Sequence, residues 1–141
     1  MFNFQHTGIL HAAPDKVFAV ISDPRRIPEW RKDVPGIGKI NGSGTGMTFV
    51  EEVHFMGRKE LLMKVTEHVP GSRLVIEAQG GMKLLPTQTF ELAPEGQGTR
   101  LRLSVMMRTS GFFRLMEPML PGKLKKIWVS YFEELDRLVA R

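Results

Sequence analysis

The chain has 141 residues, enough for one domain with a real core. Hydrophobic residues make up 42% and charged residues 25%, ordinary values for a soluble globular protein. The absence of cysteine excludes disulfides, thiolate zinc sites and cysteine nucleophiles, and fits a cytoplasmic protein. A formal charge of +5 comes from scattered Lys and Arg, with "PRR" and "KLKK" the densest groups, which predicts a solvated surface rather than a nucleic-acid face. No stretch is apolar enough for a bilayer span, and "MFNFQHTGIL" has no charged segment leading into an apolar one, as a secretory signal would.

"NFQHTGILHA" predicts a first strand. In "APDKVFAVISDP", Pro14 suits the first turn of a helix. Val17, Phe18, Val20 and Ile21 give that helix its apolar stripe, and Asp23-Pro24 ends it. "PRRIPEW" predicts a second short helix or turn, with Ile27 and Trp30 on one face. From Val34 the period shortens. "GSGTG" is a turn, then "MTFVEEVHF" and "KELLMKVTEHV" read as strands joined around Gly57. "PGS", "GG" and "APEGQG" separate three more strands. Pro86 predicts an edge position or bulge in "LLPTQTFEL". "TRLRLSVMMR" alternates cleanly.

After Gly111 the period becomes helical. Phe113, Met116, Leu120, Leu124, Ile127, Trp128, Tyr131, Leu135 and Leu138 recur at three- and four-residue steps. The helix is predicted from Lys123 onward, with Pro118 and Pro121 kinking its earlier half or splitting off a lead-in helix. Successive hairpins imply an antiparallel sheet, and one long amphipathic helix can cover one face of it.

"APDKVFAVISDPRRIPEW", "VTEHVPGSRLVIEA", "GQGTRLRLSV" and a closing helix with "EPML" before "FEELDRLV" together resemble the START/Bet v 1-like (SRPBCC) superfamily. The likeness is to its polyketide cyclase/dehydrase and lipid-transport branch, and it covers essentially the whole chain. It implies an α+β helix-grip fold in a single domain, a curved sheet around a long C-terminal helix. It also implies a cavity between them that takes lipids, quinones, polyketides or other apolar molecules. Some members are cyclases or dehydratases, others carry or sense a ligand, and a few are co-chaperones. Fold alone does not choose among these.

The stretch "FVEEVHF" holds the most pointed question. Glu51 shares a strand face with Phe49, Val53 and Phe55, whereas Glu52 and His54 share the other. The apolar face should turn inward and take Glu51 with it. Leu61, Met63 and Val65 form the apolar face of the next strand. A three-residue connection, Met56 to Arg58, sets Glu51 opposite Met63 and makes the two faces agree. A two-residue turn would reverse them. A buried Glu51 needs a partner such as an arginine, a water or a ligand. Desolvation would fit it for general acid or base work. The alternative is that it pairs with a neighbour and only shapes the pocket. Glu52 and His54 are expected in water, with Lys59 or Lys64 as cross-strand partners.

Four histidines without HxH or HExxH spacing call for no metal, and no GxSxG elbow or phosphate loop is present. No cofactor is expected. Met63, Met107, Met116 and Met119, with Phe49, Phe55, Phe90, Phe113 and Trp128, fall on predicted inner faces. The expected ligand-binding set is Phe49, Glu51, Val53, Phe55, Leu61, Met63, Phe90, Leu103, Met116, Leu120 and Trp128, with Gln88 beside Phe90 and Trp30 at the mouth. The expected partner is a small hydrophobic or amphipathic molecule. Two alternatives stand beside this reading. One is a cyclase or dehydratase with Glu51 as catalytic base. The other is a lipid or quinone carrier in peripheral membrane contact, from "KLKK" beside "FFRLMEPML".

Overall fold

A computed structural model of the chain describes residues 1–54 and 57–141. Strand β1 (Phe2–Leu10) leads into helix α1 (Pro14–Ile21), a 3-10 turn (Pro24–Arg26) and helix α2 (Ile27–Trp30). Six strands follow: β2 (Gly36–Asn41), β3 (Thr48–His54), β4 (Arg58–Val69), β5 (Arg73–Gly80), β6 (Leu84–Glu95) and β7 (Gly98–Thr109). Helices α3 (Phe112–Leu115) and α4 (Leu120–Val139) close the chain. The seven strands form one antiparallel sheet in the order β1-β7-β6-β5-β4-β3-β2. The sheet curves around α4, which is the helix-grip arrangement.

Local chemistry sets the boundaries. Pro14 opens α1 where its missing N–H costs nothing. At the other end Ser22 Oγ donates to the Phe18 carbonyl at 2.6 Å. Asp23 caps the 3-10 turn by accepting from the Arg25 N–H at 3.1 Å. The prolines near 118–121 divide the C-terminal segment, as expected. Pro121 sits in the first turn of α4, and residues 116–119 separate it from α3. Helix α4 buries Leu120, Leu124, Trp128, Tyr131, Phe132, Leu135 and Val139, a continuous stripe against the sheet. Its approach to β1 is close. A Cβ on Gly8 would stand 2.8 Å from the Phe132 ring.

Four details differ from expectation. Glu51 pairs across the sheet with Leu61, and Phe49 with Met63, two residues away from the expected register. His54 pairs with Arg58, a shift of two from the expected register, so face parity survives and Glu51 points inward. Glu52 is ion-paired with Arg58, not with Lys59 or Lys64. Met119 faces solvent instead of the core, because it only caps α4, whose buried stripe begins at Leu120. Pro86 lies in an interior strand. Pairing of β6 with β5 ends at Thr87, so at Pro86 only β7 is alongside, and no ladder bond is lost on the open flank.

Candidate functional site

The site begins at the end of α2. Arg31 follows Trp30, and its N–H donates to the Ile27 carbonyl at 2.9 Å, closing the last helical turn. Ile27 and Arg31 are therefore four apart on one face, and both are buried. The loop that follows is tied to the sheet, since the His54 N–H donates to the Asp33 carbonyl at 2.9 Å. That tie brings Arg31 and Asp33 beside β3, where Glu51 points inward.

Arg31 Nη1 donates to Glu51 Oε2 at 3.4 Å. The two side chains are 8% and 1% exposed, so the pair is almost wholly out of water. Its geometry is poor for such a place. There is one long contact rather than a fork, and Arg31 Nε and Glu51 Oε1 have no hydrogen-bond partner. The guanidinium lies over two rings, with its carbon 5.1 Å from the Trp128 centroid and 5.4 Å from that of Tyr131. The Tyr131 hydroxyl donates to Asp33. Trp30 packs beneath, 6.1 Å from Trp128 and 6.4 Å from both Phe90 and Tyr131.

Burial sets the proton affinities. It pushes the Glu51 carboxyl above the usual carboxylate range, with Arg31 pulling back and Asp33 adding to the push. Burial favours loss of the Arg31 proton, but Glu51, Asp33 and Tyr131 hold it above its ordinary range. Arg31 is thus a fixed cation. Burial also raises the Tyr131 hydroxyl, which stays neutral at physiological pH.

A cleft of about 80 Å³ opens between α4 and the sheet. Its walls are Val53 of β3, Leu61 of β4, Leu84, Pro86 and Gln88 of β6, Met107 of β7, Met82, and Leu124, Ile127 and Trp128 of α4. Arg31, Asp33 and Tyr131 supply its polar end. Of the residues expected from sequence, Val53, Leu61, Gln88 and Trp128 line this space. Glu51 stands behind Arg31, and the carboxylate on the cleft wall is Asp33. Trp30, Phe49, Met63, Phe90, Leu103 and Leu120 are buried in the surrounding core, and Met116 is half-buried against it. Phe55 lies outside the described residues. Sequence reasoning missed Arg31 and Asp33. The i, i+4 spacing from Ile27 was the signal that placed Arg31 on a buried face.

Among the described residues no group of three or more metal-ligating side chains gathers, and no helix is long and apolar enough to cross a membrane.

The profile of one family, described as polyketide cyclase/dehydrase and lipid transport, matches residues 1–141. A search of curated proteins returned no match. Among solved structures, a protein of Thermus thermophilus superposes with a TM-score of 0.84 at 18% identity, covering 98% of this chain and 97% of that one. The Zhui aromatase/cyclase of a Streptomyces species gives 0.81 at 14% identity, covering 99% and 94%. A START superfamily protein of Mycobacterium smegmatis gives 0.71 at 16% identity, covering 98% and 94%. At these identities the likeness is one of fold.

Proposed function

The chain belongs to the polyketide cyclase/dehydrase and lipid transport family, and on that premise we propose that its cleft binds a small amphipathic molecule. The apolar body of the ligand lies against Val53, Leu61, Leu84, Leu124 and Trp128. Its polar group meets Arg31, Asp33, Tyr131 and Gln88. One observation carries this reading: an apolar cleft between helix and sheet ends in a buried, fixed cation beside a tyrosine hydroxyl and a carboxylate. Ligand pockets are commonly apolar with a few placed polar groups. At about 80 Å³ the space is well below the ~300–1,000 Å³ of drug-sized pockets. A larger ligand enters only as wall side chains move, and Met82 and Met107 are the most adaptable of them.

Two measurements test the proposal. Native mass spectrometry of protein purified from its source should show a bound mass that denaturation releases. In parallel, anilinonaphthalene sulfonate, an apolar dye with an anionic end, should bind the empty protein and quench Trp128. Ile127→Trp, a half-buried wall residue, should fill the cleft and weaken dye binding at least ~tenfold. An unaltered dye affinity in a folded Ile127→Trp protein, together with no bound mass, sinks the proposal.

Turnover is a second reading, favoured by the raised proton affinity of Glu51 beside a fixed cation. In a cyclase or dehydratase, Glu51 would take a proton next to a carbonyl that Arg31 polarises. Arg31 must then move aside to admit the ligand. Turnover of a candidate polyketide that survives Glu51→Gln removes this version.

A further inference from the structure

We propose that the segment from Phe112 to Lys126 docks the protein on an anionic membrane surface. Phe113, Met116 and Leu120 pack toward the core. Phe112, Leu115 and Met119 turn the other way and are 59%, 81% and 72% exposed. Three large apolar side chains on one short stretch are more than the scattered exposure that any surface shows.

Charge identifies the occupant. Arg108, Arg114, Lys123, Lys125 and Lys126 are all exposed along this stretch. Lys83 joins them, for its side chain lies 3.3 Å from where a Cβ on Gly111 would stand, at the head of α3. The lone acid between Arg108 and Lys126 is Glu117, and the chain's amino terminus neutralises it at 2.5 Å. An apolar tip rimmed by cations matches an anionic bilayer on both counts. The side chains enter the acyl boundary while the cations meet the headgroups. A second copy fits badly, since face-to-face pairing would bring two cationic rims together.

The tip adjoins the cleft without belonging to it. Lys83 follows the wall residue Met82, and Leu124 and Ile127 stand in the turns of α4 after Met119. Docking therefore turns the rim of the cleft toward the bilayer, and it stands whatever the cleft holds.

Co-sedimentation of the full chain with phosphatidylcholine vesicles, with and without about one-third phosphatidylserine, tests this at low and moderate salt. The wild type should pellet with the anionic vesicles, less so as salt rises, and stay in solution with the neutral ones. Phe112→Ser with Leu115→Ser should weaken binding at least ~tenfold. Lys123→Glu with Lys126→Glu should weaken it by more than the roughly fivefold expected per cation lost. Lys16→Glu is the control. Its Nζ bonds the Arg141 carbonyl at the far end of α4, and its change should leave binding within about twofold. Thermal melts confirm that each variant is folded. Three results overturn the proposal: no pelleting with anionic vesicles at low salt; equal binding by the serine variant or equal loss in Lys16→Glu; or a dimer in solution that the serine variant dissolves.

Discussion

Arg31→Met tests the buried pair most directly. Two opposite charges 3.4 Å apart attract by about 5 kcal/mol at an effective dielectric constant of ~20. Against that stands a desolvation cost of several kcal/mol for each ion. With side chains only 8% and 1% exposed, neither recovers much of it from water. The single long contact and the unpartnered Arg31 Nε and Glu51 Oε1 leave the pair without the extra bonds that would tip the balance. The net worth of the pair is therefore near zero, while the cost of breaking it is large. Arg31→Met strands Glu51, and at neutral pH it should destabilise the fold by about 3–5 kcal/mol. Lowering the pH lets the stranded carboxyl take up a proton, so the loss should shrink. The double variant Arg31→Met/Glu51→Leu removes both charges and should return to within about 1–2 kcal/mol of wild type, or exceed it. Urea denaturation of the wild type, both single variants and the double gives the coupling directly. Additive losses, or an Arg31→Met cost below about 1 kcal/mol, would refute the reasoning.

The pH dependence of Glu51 gives a second outcome. Its folded proton affinity is raised by burial, so its contribution to stability is fully present below its unfolded value near 4.5 and is lost as pH rises through the folded value. Glu51→Gln, which keeps the shape of the protonated form, should gain on wild type over that rise, as urea midpoints between about pH 4 and about pH 8 will show. Tyr131→Phe removes the hydroxyl that Asp33 accepts from, and should cost about 1 kcal/mol in the same denaturation series. It should also weaken dye binding, because both residues wall the polar end of the cleft. Gly81→Ala should cost more than about 2 kcal/mol, read as a lowered Tm. Gly81 has φ +119°, and a Cβ there would stand 1.9 Å from the Glu60 carbonyl oxygen.

Much of this was legible in one dimension because it depends on period. The inward turn of Glu51 followed from alternation with Phe49 and Val53, and needed only that the hairpin connection be odd in length. The division of the C-terminal segment followed from Pro118 and Pro121. Register to the residue was not legible, because two odd connections serve the same faces equally well. The partner of Glu51 was harder still. The chain holds 20 Lys and Arg, and the one that reaches Glu51 lies 20 positions away on a different element. Arg31 carries a local trace of its burial in the spacing from Ile27. Asp33 carries none, since a loop has no period, and the bonds that fix where it stands come from His54 and Tyr131 on other elements.

That contact between loop and strand changes what the polar pair in "FVEEVHF" can do. Glu51 is not a free carboxylate in an apolar pocket. It fixes a cation, and that cation reaches the cleft. Asp33, held by the end of the same strand, meets Tyr131 of α4 from the other side. β3, the loop after α2 and the middle of α4 thus converge on one polar cluster, next to a hydrophobic wall that β3 and α4 also help to build. A cluster kept for stability alone could be replaced by apolar side chains at little cost, which is what the double variant measures. If Arg31→Met/Glu51→Leu folds as well as wild type yet no longer holds a ligand with a polar end, the charges are there for recognition. If it folds equally well and binds equally well, the charge of Arg31 has no part in binding.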